Sequence, residues 1–365
     1  MNAKEFRIRP FAFYSLLFIS RIFGLLTFPN DGTAALSAFN GNLIALTYIP
    51  LTVLLSLPIL LLRKKTGCSG VYRIGETHPA AAKAIFVGYA CFFLWQAALG
   101  AMMLDGFSGV AMFQRAGHPW LMLLFFSLAL VSALTGPETA ARAAPPVLLF
   151  FFITAGVLSA ATLPLFAPEN LQKLPDVNVL RLFRNGLSAA LRTAEPAALL
   201  FYASNRQKGA QGGLPLTVTA IGGTVSLLFT LISGVTGAYG ETQRFQFYTL
   251  TTVAELGTVE RMDDLLSALW VFCAMLKTVF YLTSAVCSMK KAGLPLRSGG
   301  GKLVLLAAVW GFYLLLIKAE TIRRFMTDAA GNLAQVFVFV TLLPSALLCA
   351  EYKRERKGKK KSEAI

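Results

Sequence analysis

Residues 11–29 read FAFYSLLFISRIFGLLTFP. Such an apolar run can cross the hydrocarbon core of a bilayer, which takes roughly 20 residues of α-helix. It also carries its own interruption. Ser20-Arg21-Ile22-Phe23-Gly24-Leu25-Leu26-Thr27-Phe28-Pro29 places a charge, a glycine and a proline inside one apolar segment. Proline removes a backbone donor and clashes with the preceding turn. The segment therefore reads either as an ordinary kinked span or as a broken helix whose freed backbone groups face a site. On the second reading Gly24, Leu25, Leu26, Thr27 and Pro29 are the first candidate ligand-binding residues.

Working outward, ten apolar segments begin near residues 11, 42, 81, 119, 144, 186, 214, 262, 302 and 333. The 365 residues are 56% hydrophobic and 14% charged, with mean hydropathy +0.62. Soluble domains carry about 25% charged residues. The expectation is an all-α polytopic membrane protein of about ten transmembrane helices. Residues 1–351 form one transmembrane domain and 352–365 a basic cytoplasmic tail. No gap between segments is long enough to bury a soluble core. Basic residues precede the first run as in a signal peptide, and Leu36-Ser37-Ala38 has the look of a weak cleavage region; with further spans following, a retained span is expected.

The formal net charge is +16, and its placement gives an orientation. Alternate loops divide the Lys and Arg residues 22 to 10, with Arg21 and Lys277 inside spans. The richer side holds Lys4, Arg7 and Arg9, the 63–83 loop, Arg142, Arg206, Lys208, the 290–302 loop and the tail. Because Lys and Arg concentrate in cytoplasmic loops, both termini are expected in the cytoplasm. The tail Lys353-Arg354-Glu355-Arg356-Lys357-Gly358-Lys359-Lys360-Lys361 suits anionic lipid, at roughly 1 kcal/mol per charge near the surface, rather than nucleic acid. Cys68, Cys91, Cys273, Cys287 and Cys349 lack metal-ligand spacing and are expected as buried thiols. The long loops 167–185 and 238–261 are expected on the outside, the second with a short surface helix.

A second interruption falls in the sixth segment, at Arg192-Thr193-Ala194-Glu195-Pro196-Ala197-Ala198. Two readings of Glu195 fit. A segment starting after Pro196 makes it a cap at the outer surface; a segment enclosing it buries an ionisable group, which is costly and usually functional. Interruptions in segments one and six together match a leucine-transporter-like five-plus-five inverted repeat, where those spans are equivalent.

In the eighth segment Trp270, Ala274, Lys277, Tyr281 and Ser284 recur at i, i+4, i+7, i+11 and i+14, one face of a helix. Lys277 is expected inside and adjacent to the site. It could pair with a carboxylate such as Glu195, contact a ligand, stand where a sodium ion would sit, or bond backbone carbonyls. Trp270 and Tyr281 flank it as candidates. Gln96, the strongly polar residue well inside the third segment, is a ligand candidate or a helix-packing hydrogen bond. Gly222, Gly223, Ser226, Ser233, Gly234 and Gly237 give the seventh segment the small-residue spacing of close packing. Phosphate-loop and dinucleotide glycine patterns are absent, and His78 and His118 fall in loops, so no catalytic, metal or cofactor assignment follows.

Several stretches, taken in order, resemble the B-subunit family of bacterial spore germinant receptors, a branch of the amino acid permease superfamily. Gly24, Leu26 and Pro29 match the family's first-span break, although Ile22 stands where an earlier glycine is usual. Phe107-Ser108-Gly109 followed by His118-Pro119-Trp120 looks like its third-to-fourth connection, and Gly136-Pro137-Glu138-Thr139-Ala140-Ala141-Arg142-Ala143 like its fifth-span start. Glu260-Arg261-Met262-Asp263-Asp264, Leu269-Trp270-Val271-Phe272, Lys277 and Tyr281 resemble its eighth span. The resemblance implies a spore inner-membrane protein that binds a small germinant, usually an amino acid. It also implies partner A and C subunits. The competing expectations are a proton- or sodium-coupled amino acid transporter of the same fold, in the bacterial cell membrane, and a membrane scaffold without a ligand site.

Overall fold

The computed structural model describes residues 8–27, 38–66, 78–112, 118–171, 179–202, 213–254, 263–294, 299–322 and 329–362. Helices dominate them. The succession is α1 (Pro10–Leu26), α2 (Ala38–Thr66), α3 (Pro79–Ala111), α4 (Pro119–Thr135) and α5 (Pro137–Thr162), followed by α6 (Val179–Leu191) and a 3-10 turn, Glu195–Leu200. Then come α7 (Gly213–Thr242), α8 (Gln246–Thr252), α9 (Asp263–Lys291), α10 (Gly299–Lys318) and α11 (Ala329–Val336). A π-helical turn, Phe337–Leu342, leads into α12 (Leu343–Ser362). Pro10, Pro79, Pro119 and Pro137 each open a helix, where the missing N–H would have no intrahelical partner anyway.

Among the described residues seven helices are long and apolar enough to cross a membrane, and α1 and α4 are shorter apolar helices. The distribution of side chains is that of a chain dissolved in lipid. Leu54, Val131, Leu149, Leu227 and Leu303 lie exposed on the outside, while Ser20, Glu195, Lys277 and Ser284 are buried. Soluble monomers rarely expose apolar surface on this scale. The chain is a multi-pass α-helical membrane protein.

The centre is built from α1, α3 and α9. In α3 and α9, 72% of the apolar window is buried, against 22% in α10, and α9 packs on α1, α3, α4 and α5. Helices α1 and α9 run antiparallel: Thr27 meets Trp270, Ser20 meets Lys277, and the Phe13 ring meets Phe280 at 6.1 Å. On the flank, α2 packs on α6 and α7. There Gly222 packs closely as expected, since a Cβ on it would strike Ile49, whereas Gly223 faces open space; Asn42 bonds Ser226 and Thr230.

Four expectations need correction. The first segment is not unwound at Gly24; α1 stays helical through Leu26 and ends at Thr27, whose N–H still reaches the Phe23 carbonyl. A residue before proline is biased away from helical ψ, and the nearby Pro29 explains an end there; Pro29 and Phe28 lie outside the described residues. The stretch 179–185, expected as external loop, is the first half of α6. The short helix in 238–261 is present as α8, but it is buried rather than superficial, because Phe247, Thr249, Leu250 and Thr251 turn inward. Of the cysteines, Cys273 is buried and Cys287 half-buried, whereas Cys91 and Cys349 are exposed; Cys68 lies outside the described residues.

Candidate functional site

The sixth segment does break. Helix α6 stops at Leu191, its bonding tightens through Thr193 N–H to the Ala190 carbonyl, and the chain resumes as the 3-10 turn Glu195–Leu200. Pro196 lacks the N–H that an uninterrupted helix would use. The break carries Glu195 into the protein, where its side chain is fully buried. Glu195 is therefore no surface cap.

Lys277 comes to meet it from α9, 6% exposed. Its Nζ donates to Glu195 Oε1 at 3.1 Å and to the Ser20 carbonyl at 3.0 Å, and Ser20 Oγ donates to the same Oε1 at 3.1 Å. One carboxylate oxygen thus collects two donors. The other, Oε2, is buried without a hydrogen-bond partner among the described residues. An ion pair taken out of water repays its desolvation only if its remaining polar atoms are satisfied. Oε2 makes no such hydrogen bond, although the Tyr281 hydroxyl interacts with the same carboxylate, so Oε2 can take a further donor, an ammonium, an amide N–H or a hydroxyl. The Tyr281 ring centroid lies 5.4 Å from Nζ, with its hydroxyl beside Glu195 and Ser20.

The lysine stem is threaded between two glycines. A Cβ on Gly24 would stand 3.0 Å from Nζ, and one on Gly100 of α3 would stand 3.4 Å from Lys277 Cδ. Gly24 is thus a site residue for a different reason than the sequence suggests: it leaves room for the lysine rather than unwinding the helix.

Aromatic layers close the centre at both ends of the α1–α9 contact. At one end Trp270 Nε1 donates to Thr27 Oγ1 at 2.7 Å. The Trp270 ring packs against Phe247 of α8 at 5.3 Å, Phe23 at 6.0 Å and Phe107 at 6.1 Å. At the other end Phe201 packs on Tyr89 at 5.1 Å and Phe93 at 5.4 Å. Tyr202 there donates to the Phe280 carbonyl at 3.0 Å and receives Ser284 Oγ at 3.3 Å. Two buried aromatic layers lower the local dielectric and strengthen any charge interaction between them.

Of the expected site residues, the structure gathers Gly24, Thr27, Glu195, Trp270, Lys277 and Tyr281. Leu25 and Leu26 pack into the apolar core instead. Gln96 donates to Gln335 Oε1 at 3.2 Å, which ties α3 to α11 and places its amide in helix packing. Sequence reasoning misses Ser20 as a ligand to the pair. It lies seven residues before Thr27, on the same helical face as Gly24, and that spacing is a usable signal.

No protein-family model matches the sequence, and no curated protein matches it either.

Proposed function

We propose that this chain is the integral membrane subunit of a spore germinant receptor, of the B-subunit type. It binds a small nutrient germinant, most simply an amino acid, and triggers germination with partner A and C subunits. The receptor assignment rests on the order of motifs along the chain. A small-molecule site is supported by one observation above all: a buried Glu195–Lys277 pair at a broken segment, with Glu195 Oε2 left to accept. The wider reading is ten spans in a five-plus-five inverted repeat, with both termini cytoplasmic. Its break lies in the sixth span, at α6 and the turn that follows it, while the equivalent first span, α1, is helical to Leu26. The protein then resides in the spore inner membrane. A germinant acts here only through its differential affinity for two conformations. Its hydrogen-bond donor would compete for Glu195 and loosen the contact between α9 and the break.

A second reading is a coupled amino acid transporter of the same fold. It is favoured by Oε2 as well, because a buried carboxylate with a spare acceptor is also a place for a proton. Deleting the gene separates the two. The receptor reading expects spores that no longer germinate on one nutrient while vegetative uptake of that labelled nutrient is intact; lost uptake with normal germination would establish the transporter instead.

A further inference from the structure

Arg21 brings a third buried charge to the centre, outside the ion pair. It is 2% exposed, one residue from Ser20 on α1. Its Nη1 donates to the Arg192 carbonyl at 2.9 Å, its Nη2 to the Ala189 carbonyl at 2.5 Å, and its Nε to the Tyr48 hydroxyl at 3.2 Å. Ala189 and Arg192 flank the C-terminal end of α6. The last carbonyls of a helix lose their regular partners; the Ala189 carbonyl keeps two longer contacts, from the Arg192 N–H and Thr193 Oγ1, each at 3.3 Å. That end also carries partial negative charge, which favours a cation. A residue more than 160 positions earlier supplies one, and its planar fork spans both carbonyls at once.

We infer that Arg21 is a positioning residue: from α1 it caps the broken end of α6 and so fixes where the chain turns toward Glu195. Adjacent residues on α1 thereby hold both sides of the break. Arg21 fastens the carbonyls before it, and Ser20 fastens the carboxylate after it through Oγ and its lysine through the main-chain oxygen. Tyr48 of α2 steadies the guanidinium, whose carbon lies 5.3 Å from the ring centroid. A shift of α1 would move both ends of the break together. The inference rests on the ligand-site reading only for what the positioned carboxylate does, and its test needs no ligand, so the two fail separately.

The test is hydrogen–deuterium exchange by mass spectrometry on the full chain in lipid nanodiscs, comparing peptides across 189–202 with peptides from α9. In Arg21→Gln, exchange across 189–202 should rise roughly tenfold or more, the scale of losing charge-assisted hydrogen bonds, with α9 unchanged. The amides concerned are those of Arg192 and Thr193, bonded to the end of α6. Arg21→Lys should give an intermediate rise, since one ammonium cannot span both carbonyls, and Tyr48→Phe a small rise in the same peptides. Unchanged exchange across 189–202 in Arg21→Gln would overturn the inference, and so would a rise shared equally by α9, which marks general destabilisation. Should Arg21→Gln not fold, Arg21→Lys decides by the same comparison.

Discussion

Lys277→Met should destabilise the folded chain by about 3–5 kcal/mol, the usual scale for removing one partner of a buried ion pair. Glu195 is then left buried with Ser20 Oγ as the remaining donor to Oε1, and Oε2 gains nothing. Combining Lys277→Met with Glu195→Gln should recover most of that loss, because a neutral amide removes the uncompensated charge and fills nearly the same volume. Neither variant should respond to a nutrient. Thermal unfolding of the purified chains in one detergent provides the check: strong non-additivity between the two substitutions is expected, and simple additivity would mean that the pair does not couple.

The second large effect concerns Gly24. A methyl group there would stand 3.0 Å from Lys277 Nζ, and a flexible lysine end can yield by a few tenths of an ångström. Alanine also favours the helix over glycine by about 0.5–1 kcal/mol. Gly24→Ala should therefore fold as well as the parent within about 1 kcal/mol. Gly24→Leu cannot be accommodated that way: it pushes the ammonium off the Ser20 carbonyl and Glu195, at an overpacking cost of about 1–3 kcal/mol. It should insert in the membrane normally and lose the nutrient response. Expression with a fluorescent tag and a germination assay on the same strains read both quantities; a Gly24→Leu strain that germinates normally would remove Gly24 from the site.

Much of this arrangement can be read along the chain. Described helices start within about four residues of eight expected segment starts, and α5 and α6 about seven residues early, because runs of apolar residues bounded by proline and basic clusters are local features; seven of the helices are long and apolar enough to span. The stripe Trp270, Ala274, Lys277, Tyr281 and Ser284 is buried throughout, as helical periodicity requires. Pairing of Lys277 with Glu195 is among the options that buried charge imposes. What stays hidden is tertiary. Gly24 beside Pro29 looks like a local break, yet the residue that needs its missing Cβ comes from another helix. Arg21 looks like an odd charge in a span until the open end of α6 supplies its acceptors. Helix α8 is legible as a helix but not as a buried one, since only the position of Trp270 and Phe107 shows what it covers.

If Glu195 and Lys277 form the ligand site, an amino acid that binds there must stabilise the folded chain through them. The direct measurement is the thermal stability of the purified wild-type chain and of Glu195→Gln against a panel of the twenty L-amino acids. A ligand that binds the folded state at about one hundred times its Kd adds about 2.7 kcal/mol. At least one amino acid should raise the Tm of the wild type and leave Glu195→Gln unmoved. An equal rise in both proteins would place the ligand elsewhere and remove Glu195 from the site.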